Sequence, residues 1–421
     1  MQQWARFAIL GAMFVVAYLL ILAWQKDYGH AETQPQPQQA AAVSHEVSAD
    51  LPNAQTASAA SDMPQANIAT QQPATEAKAS VNQQLISVQT DLYHLWINPK
   101  GGDIVRIELL NHDKSKDSNE AFVMLESDAK RTYVAQSGLI GLNGPDSNRS
   151  GRPMYEIEKS AYTLNDAKAV QTEDGKSIKV LTVPMVLKTA DGVEIIKTFT
   201  FKQGEYPVVV NHKVVNRSGQ NWQGQMFGQL KRDNSDDPGK SDQGIFTLGT
   251  FLGGAWGSPE EHYNKLKFAN FNEEKLNVEA KGGWVAMVQH YFVSAWIPGD
   301  LKLTQANGQP YVAKLESRKS TDDMNIIGFT SPTITVPAGT VAEIDATFYS
   351  GPKVQSELKE LATGLNQTVD YGWLWPIAKL LFLGLEFFHG LVGNWGWAII
   401  LLTVLVKLIL WPLSSKSYRS M

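Results

Sequence analysis

Val193-Glu194-Ile195-Ile196-Lys197-Thr198-Phe199-Thr200-Phe201-Lys202, with its continuation to Val214, decides the fold. Val193, Ile195, Phe199 and Phe201 alternate with Glu194, Thr198, Thr200 and Lys202. Tyr206, Val208, Val210, His212 and Val214 keep the same period. A period of two puts one set of side chains on one face of a strand, so this stretch reads as two half-buried strands. Asp174-Gly175 and Asp191-Gly192 are hairpin signals on its N-terminal side. Further on, Ala342, Ile344, Ala346 and Phe348 alternate with Glu343, Asp345 and Thr347, after a turn at Ala338-Gly339. Many short strands with polar turns predict an all-β domain over residues 85–353, a large antiparallel β-sandwich. There is no strict internal repeat and no βαβ rhythm.

Both flanks of this domain change character. Phe7 to Trp24 is apolar, preceded by Arg6 and followed by Lys26 and Asp27. At roughly 18 residues it exceeds the apolar core of a secretory signal, about 7–15 residues, and Trp24-Gln25-Lys26 follows where an Ala-x-Ala pattern would stand. Residues 1–24 are therefore expected to be an uncleaved transmembrane anchor, with a cleaved signal as the alternative. Residues 25–84 are rich in Gln, Ala and Pro, and no aromatic occurs between Tyr28 and Tyr93. Such a segment buries too little apolar surface to offset its ordering entropy. It is expected to be a disordered tether with a root-mean-square span of about 40 Å.

After the β-domain, residues 354–366 read as a short connecting helix, broken at Gly364 and Asn366. Residues 367–393 read as an interfacial amphipathic helix. Lys379 and Glu386 are seven positions apart and share a face, while Trp373 and Trp375 suit headgroup depth. A third span hairpinned at Gly393-Asn394 is the alternative. Residues 394–413 form the second expected transmembrane helix, and residues 414–421 would begin a cytoplasmic loop. Between Trp397 and Trp411 only Thr403 and Lys407 are polar, and they lie four apart on one helix face. An ammonium at mid-bilayer costs about 2.5–3.5 kcal/mol on insertion scales. Either Lys407 snorkels past Pro412 to the interface or it faces a water-filled groove. Lys416 and Arg419 follow this span without a nearby carboxylate, so both chain ends are expected in the cytoplasm and the β-domain outside, in the periplasm if the cell is Gram-negative.

Composition removes several function classes. The chain has 421 residues, no cysteine and a formal net charge of -5. Thiolate catalysis and cysteine zinc sites are excluded, and nucleic acid is not an expected partner. Glu260-Glu261-His262 reads as a solvated loop, not a metal site. Gly249, Gly253, Gly254 and Gly257 lack the Lys-Ser/Thr ending of a phosphate loop. No Ser/His/Asp set or carboxylate pair declares itself, so no enzyme activity, metal or cofactor is expected.

Three stretches carry a resemblance. The first is Gly254-Ala255-Trp256-Gly257-Ser258-Pro259-Glu260-Glu261, leading into Tyr263-Asn264-Lys265-Leu266-Lys267-Phe268. The second is Lys281-Gly282-Gly283-Trp284-Val285-Ala286-Met287, with Tyr291-Phe292 and Ala295-Trp296-Ile297-Pro298. The third is Val369-Asp370-Tyr371-Gly372-Trp373-Leu374-Trp375, continued by Val392-Gly393-Asn394-Trp395-Gly396. With the order anchor, tether, β-domain, surface helix and charged span, the chain resembles the Gram-negative form of the YidC family of membrane protein insertases.

The resemblance implies insertion and folding of inner-membrane proteins, alone or beside the Sec translocon. It implies five core spans around a hydrophilic groove open to the cytoplasm, with Lys407 matching the family's basic groove residue and Thr403 a groove position one turn earlier. The family usually has arginine at that place, so Lys407 keeps the charge without the planar fork. Implied partners are nascent inner-membrane proteins, the lipid bilayer, the Sec translocon with its accessory subunits, and the ribosome through cytoplasmic parts that this chain lacks. The family continues past the position of Met421, so the chain is expected to be an N-terminal portion. The competing expectation is a doubly anchored β-sandwich that binds a periplasmic glycan or protein. A third is an envelope enzyme such as a sugar epimerase, which would need convergent Glu and His side chains.

Overall fold

The computed structural model describes residues 84–115, 118–147, 151–172, 175–238, 251–299, 311–320, 322–369 and 375–419. The anchor expected at 1–24 and the tether expected at 25–84, its last residue excepted, lie outside them. The described strands begin with β1 (Ile86–Gln89), β2 (Tyr93–Asn98), β3 (Asp103–Asp113), β4 (Ala121–Ser127), β5 (Thr132–Ile140), β6 (Glu156–Ile157), β7 (Ala161–Thr163), β8 (Lys168–Gln171), β9 (Ser177–Lys188) and β10 (Val193–Lys202). They continue with β11 (Val208–Asn216), β12 (Trp222–Arg232), β13 (Gly253–Gly257), β14 (Asn264–Lys267), β15 (Asn277–Ala280), β16 (Trp284–Val288), β17 (Phe292–Pro298), β18 (Ala313–Lys319), β19 (Asn325–Thr330), β20 (Ile334–Val336) and β21 (Val341–Pro352).

These strands form two large sheets. One has the order β15-β18-β19-β12-β5-β4-β3-β2-β1-β7, with β20 beside β12. The other runs β14-β13-β16-β17-β21-β11-β10-β9-β6, with β8 beside β9. The pairing is antiparallel as expected, with one departure: β1 and β7 pair in parallel, Val88 opposite Tyr162. That contact joins strands far apart in sequence, which no hairpin signal announces.

The stretch from Val193 shows why the sandwich forms. Val193, Ile195, Phe199 and Phe201 are all buried, and β10 pairs with β11 so that Phe199 faces Val210 and Ile195 faces Val214. Burying a side chain such as Phe199 contributes about 1.5–3 kcal/mol. The turn Asp191-Gly192, with Gly192 at φ 87°, joins β9 to β10. Trp284 and Trp296 are the largest fully buried side chains of the second sheet. The inner face of β10 also carries a residue outside the apolar alternation. Lys197 is fully buried there, opposite the fully buried His212 of β11.

Three helices follow: α1 (Gln355–Leu361), α2 (Trp375–Val392) and α3 (Trp395–Arg419). Leu358 and Leu365 belong to the sandwich core, so the α1 segment is packed onto the β-domain. The surface helix expected from 367 begins later, at Trp375. Leu365–Thr368 is a 3-10 turn, entered through Gly364 at φ 82°. A β-carbon on Gly364 would collide with the carbonyl oxygen of His262, so the chain reverses there only with glycine.

Candidate functional site

Asn394 starts the helix that carries the candidate site. Its side-chain oxygen accepts hydrogen bonds from the backbone N–H groups of Gly396 (2.8 Å) and Trp397 (3.3 Å). This is an N-cap, which satisfies donors that the first helical turn leaves unpaired. Gly393 just before it has φ 65° and donates its N–H to His389 O at 2.8 Å, closing α2. The His389 and Trp395 rings stack across the turn at 3.9 Å.

From this turn α2 runs back along α3. A β-carbon on Gly384 would lie 3.0 Å from Leu402 Cδ1. Gly384 and Leu402 are each nine residues from Gly393, so the helices stay side by side for about 13 Å. Ala398 is the one buried residue of α3 among those described, and Leu402 and Val406 are half-buried. These three recur every fourth position and form the stripe that faces α2.

The rest of α3 is open. Trp397, Ile400, Val404, Leu408, Ile409 and Trp411 are all exposed, and Trp395–Pro412 is long and apolar enough to cross a membrane. Thr403 and Lys407 each sit one residue beyond the buried stripe, on one exposed face. The Thr403 hydroxyl donates to Ile399 O at 2.7 Å, so its hydrogen is satisfied within the helix while its oxygen keeps acceptor capacity outward. Lys407 has no ion-pair partner among the described residues. Pro412 removes one helical N–H five residues later.

Lys379 and Glu386 are exposed on α2 together with Ile377, Leu380, Leu383 and Phe387. Trp375 opens the backbone of α2, and Trp373 lies outside the described residues. The structure brings Thr403 and Lys407 onto one face, and among the described residues no hydrogen bond or ion pair joins Lys379 or Glu386 to them.

In the β-domain the residues of the sequence motifs have packing roles. Ser258 Oγ accepts the N–H groups of Glu260 (3.2 Å) and Glu261 (3.0 Å), and His262 is exposed, so this is the loop expected from the sequence. Gly253, Gly254 and Gly257 lie within strand β13 instead of opening a helix. Trp284 donates its indole N–H to Thr363 O at 2.9 Å and stacks with Tyr263. It thus ties the sheet to the segment leading into the membrane helices. Sequence reading quoted Trp284 without assigning this tie, because its acceptor is 79 residues away.

A small polar cleft of about 150 Å³ is lined by Gln225, Glu279, Lys314, Thr330 and Ser331. Pockets for small molecules usually span about 300–1,000 Å³. Among the described residues no group of three or more His, Asp or Glu side chains is placed to hold a metal ion.

Comparison with known proteins covers nearly the whole chain. The family model for the YidC periplasmic domain matches residues 85–383, and that for the 60Kd inner membrane protein matches residues 387–421. A membrane protein insertase YidC from Pseudomonas putida is 42% identical over 418 residues, 99% of this chain and 70% of that protein. One from Stutzerimonas stutzeri is 43% identical over 420 residues, again with 99% and 70% covered. Among solved structures, a galactose mutarotase related enzyme from Lactobacillus acidophilus aligns with a TM-score of 0.38 and 10% identity, covering 63% of this chain and 97% of that one. At that distance the likeness carries no argument about activity.

Proposed function

The chain belongs to the YidC family of membrane protein insertases, and from that premise we propose that the Thr403–Lys407 face of α3 is one wall of a hydrated groove that receives incoming membrane proteins. The observation that carries this reading is the placement of Lys407. It is exposed on an apolar span, off the stripe that packs on α2, and has no ion pair among the described residues. A charge in that position is stable when water or a substrate group reaches it. A groove that holds water inside the bilayer lowers the penalty for moving a polar tail partway across. The Lys407 ammonium attracts acidic groups of that tail, and the apolar remainder of the substrate leaves sideways into lipid.

The rest of the organisation follows as part of the same proposal. The β-domain stands in the periplasm and docks to accessory subunits of the Sec translocon, the chain ends face the cytoplasm, and ribosomes are met on that side. Trp373 and Trp375 anchor α2 at headgroup depth, with Lys379 and Glu386 toward water. From the side-by-side packing of α2 and α3, such a surface orientation is reached by rotation about Gly393. The reading assigns the chain transport of polypeptide without a covalent step.

The test is insertion in cells depleted of their own insertase, with the protein expressed from its own gene. Lys407→Glu is expected to lower insertion of a single-span substrate with an acidic tail about tenfold, the equivalent of 1.4 kcal/mol. Lys407→Arg should retain it. Full activity of Lys407→Glu would overturn the groove reading.

A further inference from the structure

Tyr291 lies in one of the stretches that carry the family resemblance, and it has no part in the groove at Lys407. With Gln289 and His290 it forms the turn between β16 and β17, closed by Gln289 N–H donating to Phe292 O at 3.0 Å. Phe292 is buried and stacks on Phe122 at 4.3 Å, which holds the turn to the sandwich. His290 and Tyr291 are both exposed, with their rings 3.9 Å apart. Tyr291 is 71% exposed, against 54% for Leu142 and 51% for Val341, the next most open large apolar side chains of the described β-domain. A single exposed apolar side chain is ordinary on a soluble surface. The chain path sets this one apart.

Tyr291 stands where the chain leaves the β-domain. Its carbonyl accepts the Lys353 N–H at 3.0 Å, and Lys353 Nζ donates to Thr368 O at 3.1 Å. Thr368 is fully buried, its hydroxyl donates to Leu365 O at 2.7 Å, and Leu365 belongs to the sandwich core. The exit point is thereby fixed one lysine side chain away from the turn. Trp375, where α2 begins, follows Thr368 by seven residues. Whatever path they take, seven residues span at most about 25 Å. Strand β21 runs from Val341 to Pro352, and Pro352 pairs with Phe292. Val341 therefore marks the opposite end of the sandwich, about 35 Å away along that strand.

The charges near the turn build no basic patch. Asp237 accepts from Gln289 Nε2 (2.8 Å) and pairs with Arg232 (2.7 Å), while Lys353 is held by Thr368 O. Any attraction to a membrane surface must come from the ring itself. Tyrosine has an apolar body and a polar tip, the combination that suits the boundary between headgroups and water.

We propose that the 289–291 turn is a lipid contact of the β-domain, with Tyr291 seated in the same phospholipid headgroup layer that carries Trp375. This rests on the headgroup placement of Trp375 proposed above and is independent of the groove at Lys407. The contact holds the exit end of the sandwich at the bilayer and directs the Val341 end into the aqueous compartment. It gives a domain on a seven-residue link one preferred orientation.

The test is quenching of bimane by nitroxide-headgroup phospholipid in nanodiscs, with the full chain and any cysteine encoded beyond residue 421 replaced by serine. Bimane is attached at Ser356→Cys, an exposed position of α1 three residues after Lys353, at Val341→Cys, and at Ile377→Cys to report on α2. Quenching is expected at 356 and 377 and not at 341. Tyr291→Ser should abolish it at 356 and leave it at 377, whereas Tyr291→Trp should keep it at both. Quenching at 377 without quenching at 356, or quenching at 356 that survives Tyr291→Ser, would overturn the lipid contact and leave the placement of Trp375 standing. No quenching at 377 would remove that placement and the contact with it. In cells, p-benzoylphenylalanine in place of Tyr291 should give lipid adducts on irradiation. Protein adducts alone would mean that the turn serves a protein partner, and would overturn the proposal.

Discussion

Two lysines sit in apolar surroundings in this molecule, and they are treated in opposite ways. Lys197 lies between the sheets with three carbonyl acceptors and neighbouring carboxylates, and nothing of it reaches solvent. Lys407 lies on a helix whose large apolar side chains face outward, and no ion pair to it occurs among the described residues. The β-domain is built to water's rules, with apolar side chains inside and the buried charges Lys197 and Arg152 held by carbonyls and carboxylates of the protein. On the α2–α3 hairpin Leu380 and Trp411 are 71% and 70% exposed, as suits a surface made for lipid. The polar exception there, Lys407, is exposed, and the groove proposed for it would supply water or a substrate group as its partner.

The sharpest way to break this contrast is to remove a charge from each setting. Arg152→Met strands the buried Asp103 and Asp146 and should cost about 3–5 kcal/mol of stability, read by denaturant unfolding of the full chain in detergent. Lys407→Met should change the same measurement by about 0.5 kcal/mol or less. Equal losses from the two would show that both charges are held by the fold.

The next effect is a pH dependence. The folded value of Lys197 lies near 7, below its unfolded 10.5, so between these limits the unfolded chain holds a proton that the folded chain has released. Stability should rise with pH across that window, by at most about 1.4 kcal/mol per unit, and the Lys197 contribution should be level below it. Unfolding titrations of Lys197→Met against the parent isolate this slope, and an unchanged slope would remove Lys197 as its source.

Asn394→Ala tests the joint between the helices. Loss of its bonds to Gly396 and Trp397 should cost about 1 kcal/mol, seen as fraying of the first turn of α3 by hydrogen exchange. The smallest change is Lys407→Arg, which keeps the charge and should leave both stability and insertion close to the parent values. A strong defect would mean that shape, not charge, matters at that position.

Much of this was legible in the chain. The alternation from Val193 to Val214 carries the sandwich because each strand needs only local information to choose its buried face. Lys407 stood out because an apolar span makes a lone cation visible. Lys197 was not legible, although it occupies an inward position of the same alternation. Its acceptors at Gly101, Gly102 and Ser137 lie 96, 95 and 60 residues away, and only the folded sheets bring them together. The parallel pairing of β1 with β7 and the bond from Trp284 to Thr363 are long-range in the same sense. Residues 365–368 are drawn into a 3-10 turn, its Leu365 buried in the β-domain core, so the helix expected from 367 does not start there, a tertiary preference that periodicity does not carry.

Residues 1–421 contain no cysteine, so one decisive measurement needs only that any cysteine encoded beyond them be replaced by serine. Lys407→Cys, expressed from its own gene, is treated with a membrane-impermeant maleimide in inside-out and right-side-out vesicles, with Ser415→Cys as the cytoplasmic control. Water reaching this depth from the cytoplasmic side gives labelling in inside-out vesicles and protection in right-side-out ones. A position 407 that stays unlabelled in both, while position 415 reacts, would contradict a hydrated groove.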